Sequence, residues 1–212
     1  VKANLTTDSN GATVLKNLHL GTYTIKEVQA PENFYNAGEE KTVTLSYAGQ
    51  NVETVFSEST FHNDRQKAEV SVLKKDKDTL NPLDGGVFGL YAGSDINNAD
   101  GSVVVSKGTL IEKAVTGEDG KAVFTADLPI GFSFDVKEIQ APEGYVRNQE
   151  DVYSFTFSYT NDSEAKVTFT HTFVNERVNA TIKLQKKDAE TNQAVPQGDA
   201  TLENAVYGLY AR

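Results

Sequence analysis

Apolar and polar residues alternate with period two along much of this chain. Tyr153, Phe155, Phe157 and Tyr159 are separated by Ser154, Thr156 and Ser158, and the run 166–173 places Val167, Phe169, His171 and Phe173 on one side of the backbone. Such alternation marks a strand with one buried face. The pattern predicts strands near 68–75, 86–92, 102–107, 110–115, 121–126, 131–140, 152–159 and 166–175. Turn signals separate them: Ser9-Asn10-Gly11, Asp100-Gly101, Glu118-Asp119-Gly120 and two Ala-Pro-Glu corners. No segment reads as a long amphipathic helix. Short strands divided by turns predict an all-β protein built as an antiparallel sandwich.

The same parity isolates three polar residues. Val70, Val72 and Lys74 share a face. So do Phe132, Phe134, Val136 and Glu138, and so do Val167, Phe169, His171, Phe173 and Asn175. Each apolar stripe ends in one polar side chain. The plain alternative is that each stands at a strand end and reaches water, because Lys and Glu are rarely buried unless paired. Recurrence argues against it: Tyr23, Ile25 and Glu27 align in the same way, as do Phe61 and Asn63, and Ile182, Leu184 and Lys186. Buried together, a Lys, a Glu and an Asn carry chemistry. Desolvation disfavours the ammonium, so a buried Lys gives up its proton and becomes a nucleophilic amine. A buried carboxylic acid favours its neutral form, can donate to the amide oxygen of Asn and can pass protons to departing ammonia. Holding the reactants in contact replaces roughly 7–11 kcal/mol of barrier. The product is a Lys–Asn isopeptide bond.

Three phrases occur twice. Lys26-Glu27-Val28-Gln29-Ala30-Pro31-Glu32 returns as Lys137-Glu138-Ile139-Gln140-Ala141-Pro142-Glu143. Leu73-Lys74-Lys75-Asp76 returns as Gln185-Lys186-Lys187-Asp188, and Phe61-His62-Asn63-Asp64-Arg65 as Phe173-Val174-Asn175-Glu176-Arg177. The offsets (26 to 137, 73 to 185, 61 to 173) are 111 or 112 residues, the sign of a tandem array. A unit running from the Lys phrase to the Asn phrase fits once in full. The predicted organisation is therefore the C-terminal part of one repeat at 1–66, a complete repeat at 67–177 and the N-terminal part of the next at 178–212. A unit of about 110 residues can bury its own core. The junction at 176–180, whose counterpart lies near 64–68, holds no Gly or Pro cluster, so a short connection is expected.

Composition narrows the function. A net charge of -10 argues against nucleic acid and against docking on anionic lipid, and reads as a solvated surface. With no Cys among the 212 residues, disulfides and thiolate metal sites are excluded. No apolar run reaches transmembrane length, and no signal peptide or sorting signal is visible at either end.

The phrases together resemble the B-type repeat domains of Gram-positive surface proteins, the collagen-adhesin B-type and pilin-backbone (SpaA-like) family. The matching parts are Lys74-Lys75-Asp76, the stretch Leu83-Asp84-Gly85-Gly86-Val87-Phe88-Gly89-Leu90-Tyr91, the turn strand from Gly120 to Phe124, the corner from Glu138 to Tyr145, and Phe173-Val174-Asn175. The resemblance implies a transthyretin-like, immunoglobulin-like β-sandwich, repeated in tandem, with a self-formed intramolecular isopeptide bond. Carried over residue by residue, Lys74 is the amine, Asn175 the amide and Glu138 the catalyst. In the partial repeats Glu27 and Asn63 fill the later two roles and Lys186 the first. Two departures stand out. The first corner reads Pro31-Glu32-Asn33-Phe34, with Asn where the family prefers Gly and Phe where it prefers Tyr; Asn tolerates a left-handed turn. The stretch Gln193–Leu202 after Lys186 is longer and is expected to extend a loop.

The expected function is a stalk or shaft segment of an extracellular adhesin or pilus-like protein at the bacterial cell wall, not an enzyme. Its expected partners are neighbouring repeats or head-to-tail copies of the same protein. The alternative is an adhesin module that binds a host protein or glycan through loops 93–101 and 193–202. No cofactor and no metal are expected. Asp95-Ile96-Asn97-Asn98-Ala99-Asp100-Gly101 resembles a calcium loop faintly, but its spacing is off by one and no Glu closes it. His19, His62 and His171 lack metal-ligand spacing, and His171 reads as a packed, hydrogen-bonded core residue.

Overall fold

The computed structural model describes residues 3–211, which form two units, one ending at Glu176 and the other starting at Arg177. All regular structure among the described residues is β. In the first unit, β1 (Gly21–Lys26) pairs with β2 (Glu40–Leu45). There follow β3 (Lys67–Asp76), β4 (Val87–Ala92), β5 (Ile96–Asn97), β6 (Val103–Val105), β7 (Leu110–Val115), β8 (Lys121–Phe124), β9 (Phe132–Gln140), β10 (Val152–Phe157) and β11 (Lys166–Asn175). All eight strands read from the alternation are present. The short β5 was not foreseen; two residues are too few to show a period.

Residues 67–175 form a sandwich of two sheets, ordered β10-β9-β4-β7 and β11-β3-β8. The neighbours in both are antiparallel with one exception: β11 runs parallel to β3. This corrects the purely antiparallel expectation. Parallel strands need a long crossover, and here the rest of the domain serves as one. The core lies between the sheets. Val70, Val72 and Phe173 of one sheet meet Phe88, Leu90, Phe134, Val136, Phe155 and Phe157 of the other. The rings interlock, with Phe88 and Phe173 centroids 4.9 Å apart and Phe155 and Phe169 4.3 Å apart. Ring pairs at these distances add to the stability that their burial gives.

The tandem repeat is visible in the strand register. Tyr23 faces Val43 between β1 and β2, and the residues at matching positions, Phe134 and Phe155, face each other between β9 and β10. Residues 55–63 match β11 but form no strand, and residues 179–188 match β3 but form none either. In the complete repeat those two strands hold each other. A lone copy of either has no ladder to join, and a single edge does not persist in water. Ile182 and Leu184 accordingly stand exposed.

One local element folds in both copies. Asp76 Oδ1 accepts the backbone N–H groups of Asp78 and Thr79, each at 2.9 Å. Asp188 Oδ1 accepts those of Glu190 and Thr191 at 2.8 and 3.1 Å. Each turn then carries a left-handed residue, Leu80 (φ 59°) and Asn192 (φ 55°). An Asp side chain that caps its own turn needs no sheet to do so.

Candidate functional site

The parity argument holds for all three polar residues. Lys74, Glu138 and Asn175 are 1, 2 and 1 % exposed. Lys74 stands near the end of β3, the middle strand of its sheet, opposite Phe173 of β11. Asn175 is the next inward residue along β11. Glu138 comes from β9 in the facing sheet, where it pairs with Phe88 of β4. The three side chains meet at one end of the sandwich. Lys74 Nζ donates to Asn175 Oδ1 and lies 3.1 Å from Glu138 Oε1. Asn175 Nδ2 donates to Glu138 Oε1 at 2.9 Å and to Oε2 at 3.2 Å. The Asn148 backbone N–H donates to Oε2 at 3.2 Å. The Phe88 ring closes the site over the amine, its centroid 5.9 Å from Nζ.

The main chain fixes Lys74 as firmly as the side chains do. Its N–H donates to the Gly120 carbonyl at 2.7 Å, and its carbonyl accepts from Leu83 N–H at 2.9 Å. Gly120 has φ +71°, and a Cβ there would stand 2.5 Å from the Lys74 carbonyl oxygen. Only glycine combines that conformation with so close an approach. The Glu-Asp-Gly turn signal thus marks the backbone that grips the buried lysine.

Burial holds the Lys74 ammonium below the ordinary lysine range; the hydrogen bond and charge of Glu138, and the charge of Asp151, oppose this only in part. The dry site therefore makes the ammonium easier to deprotonate than that of an exposed lysine. The Asn175 nitrogen faces Glu138 and its oxygen faces Lys74. Sequence reasoning set Glu138 on the amide oxygen; the geometry sets it on the nitrogen, the atom that would depart.

Half of this arrangement recurs upstream. Asn63 Nδ2 donates to Glu27 Oε2 at 2.6 Å and to the Tyr35 carbonyl at 3.2 Å. The Glu27 carbonyl accepts from Asn36 Nδ2 at 3.2 Å, as the Glu138 carbonyl accepts from Arg147 Nε at 2.9 Å. Glu27 and Asn63 are only partly buried. Lys186 belongs to the second unit, in an exposed stretch outside any strand.

Sequence reasoning missed Asp76 and Tyr145. Asp76 is 1 % exposed, and Tyr145 Oη donates to its Oδ2 at 2.8 Å. Asp76 lies in the repeated Lys phrase and Tyr145 at the end of the Glu138–Tyr145 corner, which was the available signal. Phe34 stands where Tyr145 does and has no hydroxyl to offer. Asn33 carries φ 71° at its corner and Gly144 φ 81° at the other, so the Asn does keep the left-handed turn. His171 is half-buried, stacked on Tyr153 at 4.9 Å with Nε2 3.3 Å from Asp151 Oδ1. The faint calcium loop has another use for its oxygens. Asp95 Oδ1 accepts Lys107 N–H, Asn98 Oδ1 accepts Asp100 N–H and Asp100 Oδ1 accepts Ser102 N–H, at 2.7, 3.2 and 2.8 Å. These are turn-forming bonds to backbone. Among the described residues no three His, Cys, Asp or Glu side chains gather as a metal site.

Comparison with known proteins agrees with this architecture. The sequence signature of the SpaA prealbumin-like fold domain matches residues 1–60 and 68–172. The chain belongs to that family. The two matched segments cover the first partial repeat and the sandwich that holds Lys74 and Glu138. A collagen adhesin of Staphylococcus aureus is 38 % identical over 96 residues, covering 45 % of this chain and 7 % of the adhesin. The Bacillus anthracis TIE protein is similar in structure, with a TM-score of 0.56 and 28 % identity, covering 84 % of this chain and 29 % of that one. The T6 backbone pilin of serotype M6 Streptococcus pyogenes matches at TM-score 0.32 and 25 % identity, over 43 % of this chain and 16 % of the pilin. The chain thus spans less than a third of the length of each of these three relatives.

Proposed function

We propose that this SpaA-family segment is a load-bearing stalk or shaft element of a Gram-positive cell-surface adhesin or pilus-like protein. We further propose that Lys74 and Asn175 join in a self-formed isopeptide bond. The buried contact of Lys74, Glu138 and Asn175 between the first and last strands of the sandwich carries the reading. Family membership and the likeness to a collagen adhesin support the surface location. The role is structural rather than enzymatic.

The chemistry follows from the geometry. Glu138 takes the proton that burial makes Lys74 shed, across 3.1 Å. The neutral amine attacks Asn175 Cγ, the C–Nδ2 bond breaks and an Nζ–Cγ bond forms. Glu138 returns the proton to Nδ2, which leaves as ammonia, and takes up the second proton that Nζ sheds on becoming an amide nitrogen. One amine and one carboxamide become one secondary amide and one ammonia.

The bond has a mechanical consequence. Tension entering at Lys67 runs along β3 to Lys74, crosses to Asn175 and leaves at the end of β11. The chain between those residues, a separation of 101 positions, then lies outside the load path. By analogy with a disulfide, closing a loop of this size contributes roughly 4–5 kcal/mol in the chain-entropy model. Intact-protein mass tests the proposal: the folded chain should weigh less than its sequence by at least one ammonia. Peptide mapping should recover Lys74 and Asn175 in one cross-linked fragment. A mass equal to that of the sequence, with Lys74 and Asn175 in separate peptides, would sink it.

A further inference from the structure

We infer that loop 158–165 of the complete repeat is a clasp that recognises the corner of the repeat before it and sets the two in a fixed relation. The observation is a buried glutamine at the junction. Gln66 is 1 % exposed, although it belongs to the connection between repeats. Its Nε2 donates to Thr160 Oγ1 at 2.7 Å, to the Glu164 carbonyl at 2.9 Å and to the Asn161 carbonyl at 3.2 Å. Its Oε1 accepts Thr160 N–H at 3.1 Å. The loop is wrapped round the carboxamide, and every polar atom of that group has a partner.

The same loop also grips the preceding repeat directly. Asp162 Oδ2 accepts Ala30 N–H at 3.1 Å, and the Asp162 carbonyl accepts Asn36 N–H at 2.7 Å. Ala30 and Asn36 flank the Pro31-Glu32-Asn33-Phe34 corner. That corner is tied back to the junction in turn: Gln66 N–H donates to the Asn33 carbonyl at 3.1 Å and Tyr35 N–H to the Asp64 carbonyl at 2.8 Å. Lys67 N–H donates to the Ala165 carbonyl at 3.0 Å. Corner, connection and loop therefore form one hydrogen-bonded block, where a free linker would leave its backbone to water. Arg65 and Lys67 both reach Asp127, but these pairs are exposed and weak. Buried amide bonds hold the junction.

The clasp is specific to this pair of neighbours. At the matching positions 112 residues away, Thr160 and Asp162 are replaced by Ala48 and Gln50, and Gln66 by Val178. Ala48 has no hydroxyl for a glutamine, and Val178 has no carboxamide for a loop. The partner that loop 158–165 fits is a preceding repeat that brings an Ala-Pro corner with a left-handed residue and a glutamine at the connection. The junctions of the array then differ in stiffness, and this one is stiff.

Trypsin provides the test, because Arg65 and Lys67 bracket Gln66. In the full chain, Gln66→Ala and, separately, Asp162→Ala should raise cleavage after Arg65 and Lys67 at least tenfold. The unfolding midpoint of the 67–175 sandwich and the ammonia loss in its intact mass, corrected for the substitution, should not move, since neither residue touches Lys74, Glu138 or Asn175. Asp162→Ala leaves Gln66 buried, so it remains informative if Gln66→Ala lowers the midpoint. Cleavage at the wild-type rate in Asp162→Ala, with unchanged amide relaxation across residues 28–36, would overturn the clasp. Loss of the Lys74–Asn175 bond alone would leave it standing.

Discussion

Lys74 faces Phe173 across the parallel pair of β3 and β11, and this register places Asn175, the next inward residue, against the lysine amine. A shift of one residue would turn Asn175 to the outer face. An antiparallel pairing would carry it to the far end of β3. The parallel exception in the sandwich is thus the feature that lets the first and last strands bring Lys74 and Asn175 into one buried contact.

Glu138 is the residue whose removal separates folding from bond formation. Glu138→Ala should fold, because the sandwich core is apolar and Glu138 lies at its end, yet it should keep its ammonia. Without the carboxyl nothing takes the lysine proton or returns it to Nδ2. Mass spectrometry should find that ammonia retained, and the unfolding free energy should fall by roughly 4–5 kcal/mol for the lost cross-link. A variant mass equal to the bonded wild type, corrected for the substitution, would count against the role.

The lysine sets a pH dependence that shows only when the bond cannot form. In Asn175→Ala, Lys74 stays a free amine with its pKa held below the ordinary value by burial. Between the depressed folded value and the ordinary unfolded value, the unfolded chain binds the proton and the folded chain does not. Stability therefore rises with pH through that window and is flat below it, where both states hold the proton. Denaturant midpoints of Asn175→Ala should climb as pH rises towards the ordinary lysine pKa of about 10.4. The slope should vanish in the double variant Lys74→Met with Asn175→Ala. Equal slopes in the two proteins would show that Lys74 is not the group responsible.

Much of this was legible from period two alone. The strands, the inward faces of Lys74, Glu138 and Asn175, and the pairing of Glu27 with Asn63 all follow from parity and repetition. What was not legible depends on contacts between distant segments. Gln66 looks like any polar linker residue until loop 158–165 closes on it. The Tyr145–Asp76 bond joins two phrases whose proximity no local pattern reveals. The faint calcium pattern at 95–101 is one that turn capping shares, since residues that ligate calcium also cap turns.

Leu80 holds a conformation that its side chain disfavours. At φ 59° it is a left-handed, exposed, non-glycine residue, and Asn192 fills the same place in the next copy of the turn. The left-handed region costs an ordinary residue about 1–2 kcal/mol, and Asn is one of the few that tolerates it. Leu80→Asn should stabilise the complete repeat by about 1 kcal/mol, seen as a raised denaturant midpoint with an unchanged slope. No gain, or a loss, would show that Leu80 makes a contact that outweighs its strain.

Glu27 and Asn63 meet through the same two groups as Glu138 and Asn175. Their carboxylate and carboxamide already lie 2.6 Å apart, in the relation that Glu138 and Asn175 hold at 2.9 Å. What is missing is a β3-type strand bearing a lysine, and residues 179–188 are such a strand by sequence, with Lys186 at the place of Lys74. That stretch has exposed Ile182 and Leu184 and no ladder to join, while residues 55–63 form no strand and leave Phe56 exposed. Docking one on the other would bury apolar surface on both and bring Lys186 to Asn63. Between copies of the chain this gives a head-to-tail array. Concentrated protein should therefore run as a ladder on a denaturing gel, with one ammonia lost per added link. Lys186→Arg, which keeps the charge but cannot give up its proton at ordinary pH, should reduce the ladder to a monomer band. A monomer band from the unaltered chain, with only the Lys74–Asn175 ammonia missing, would confine covalent closure to the complete repeat.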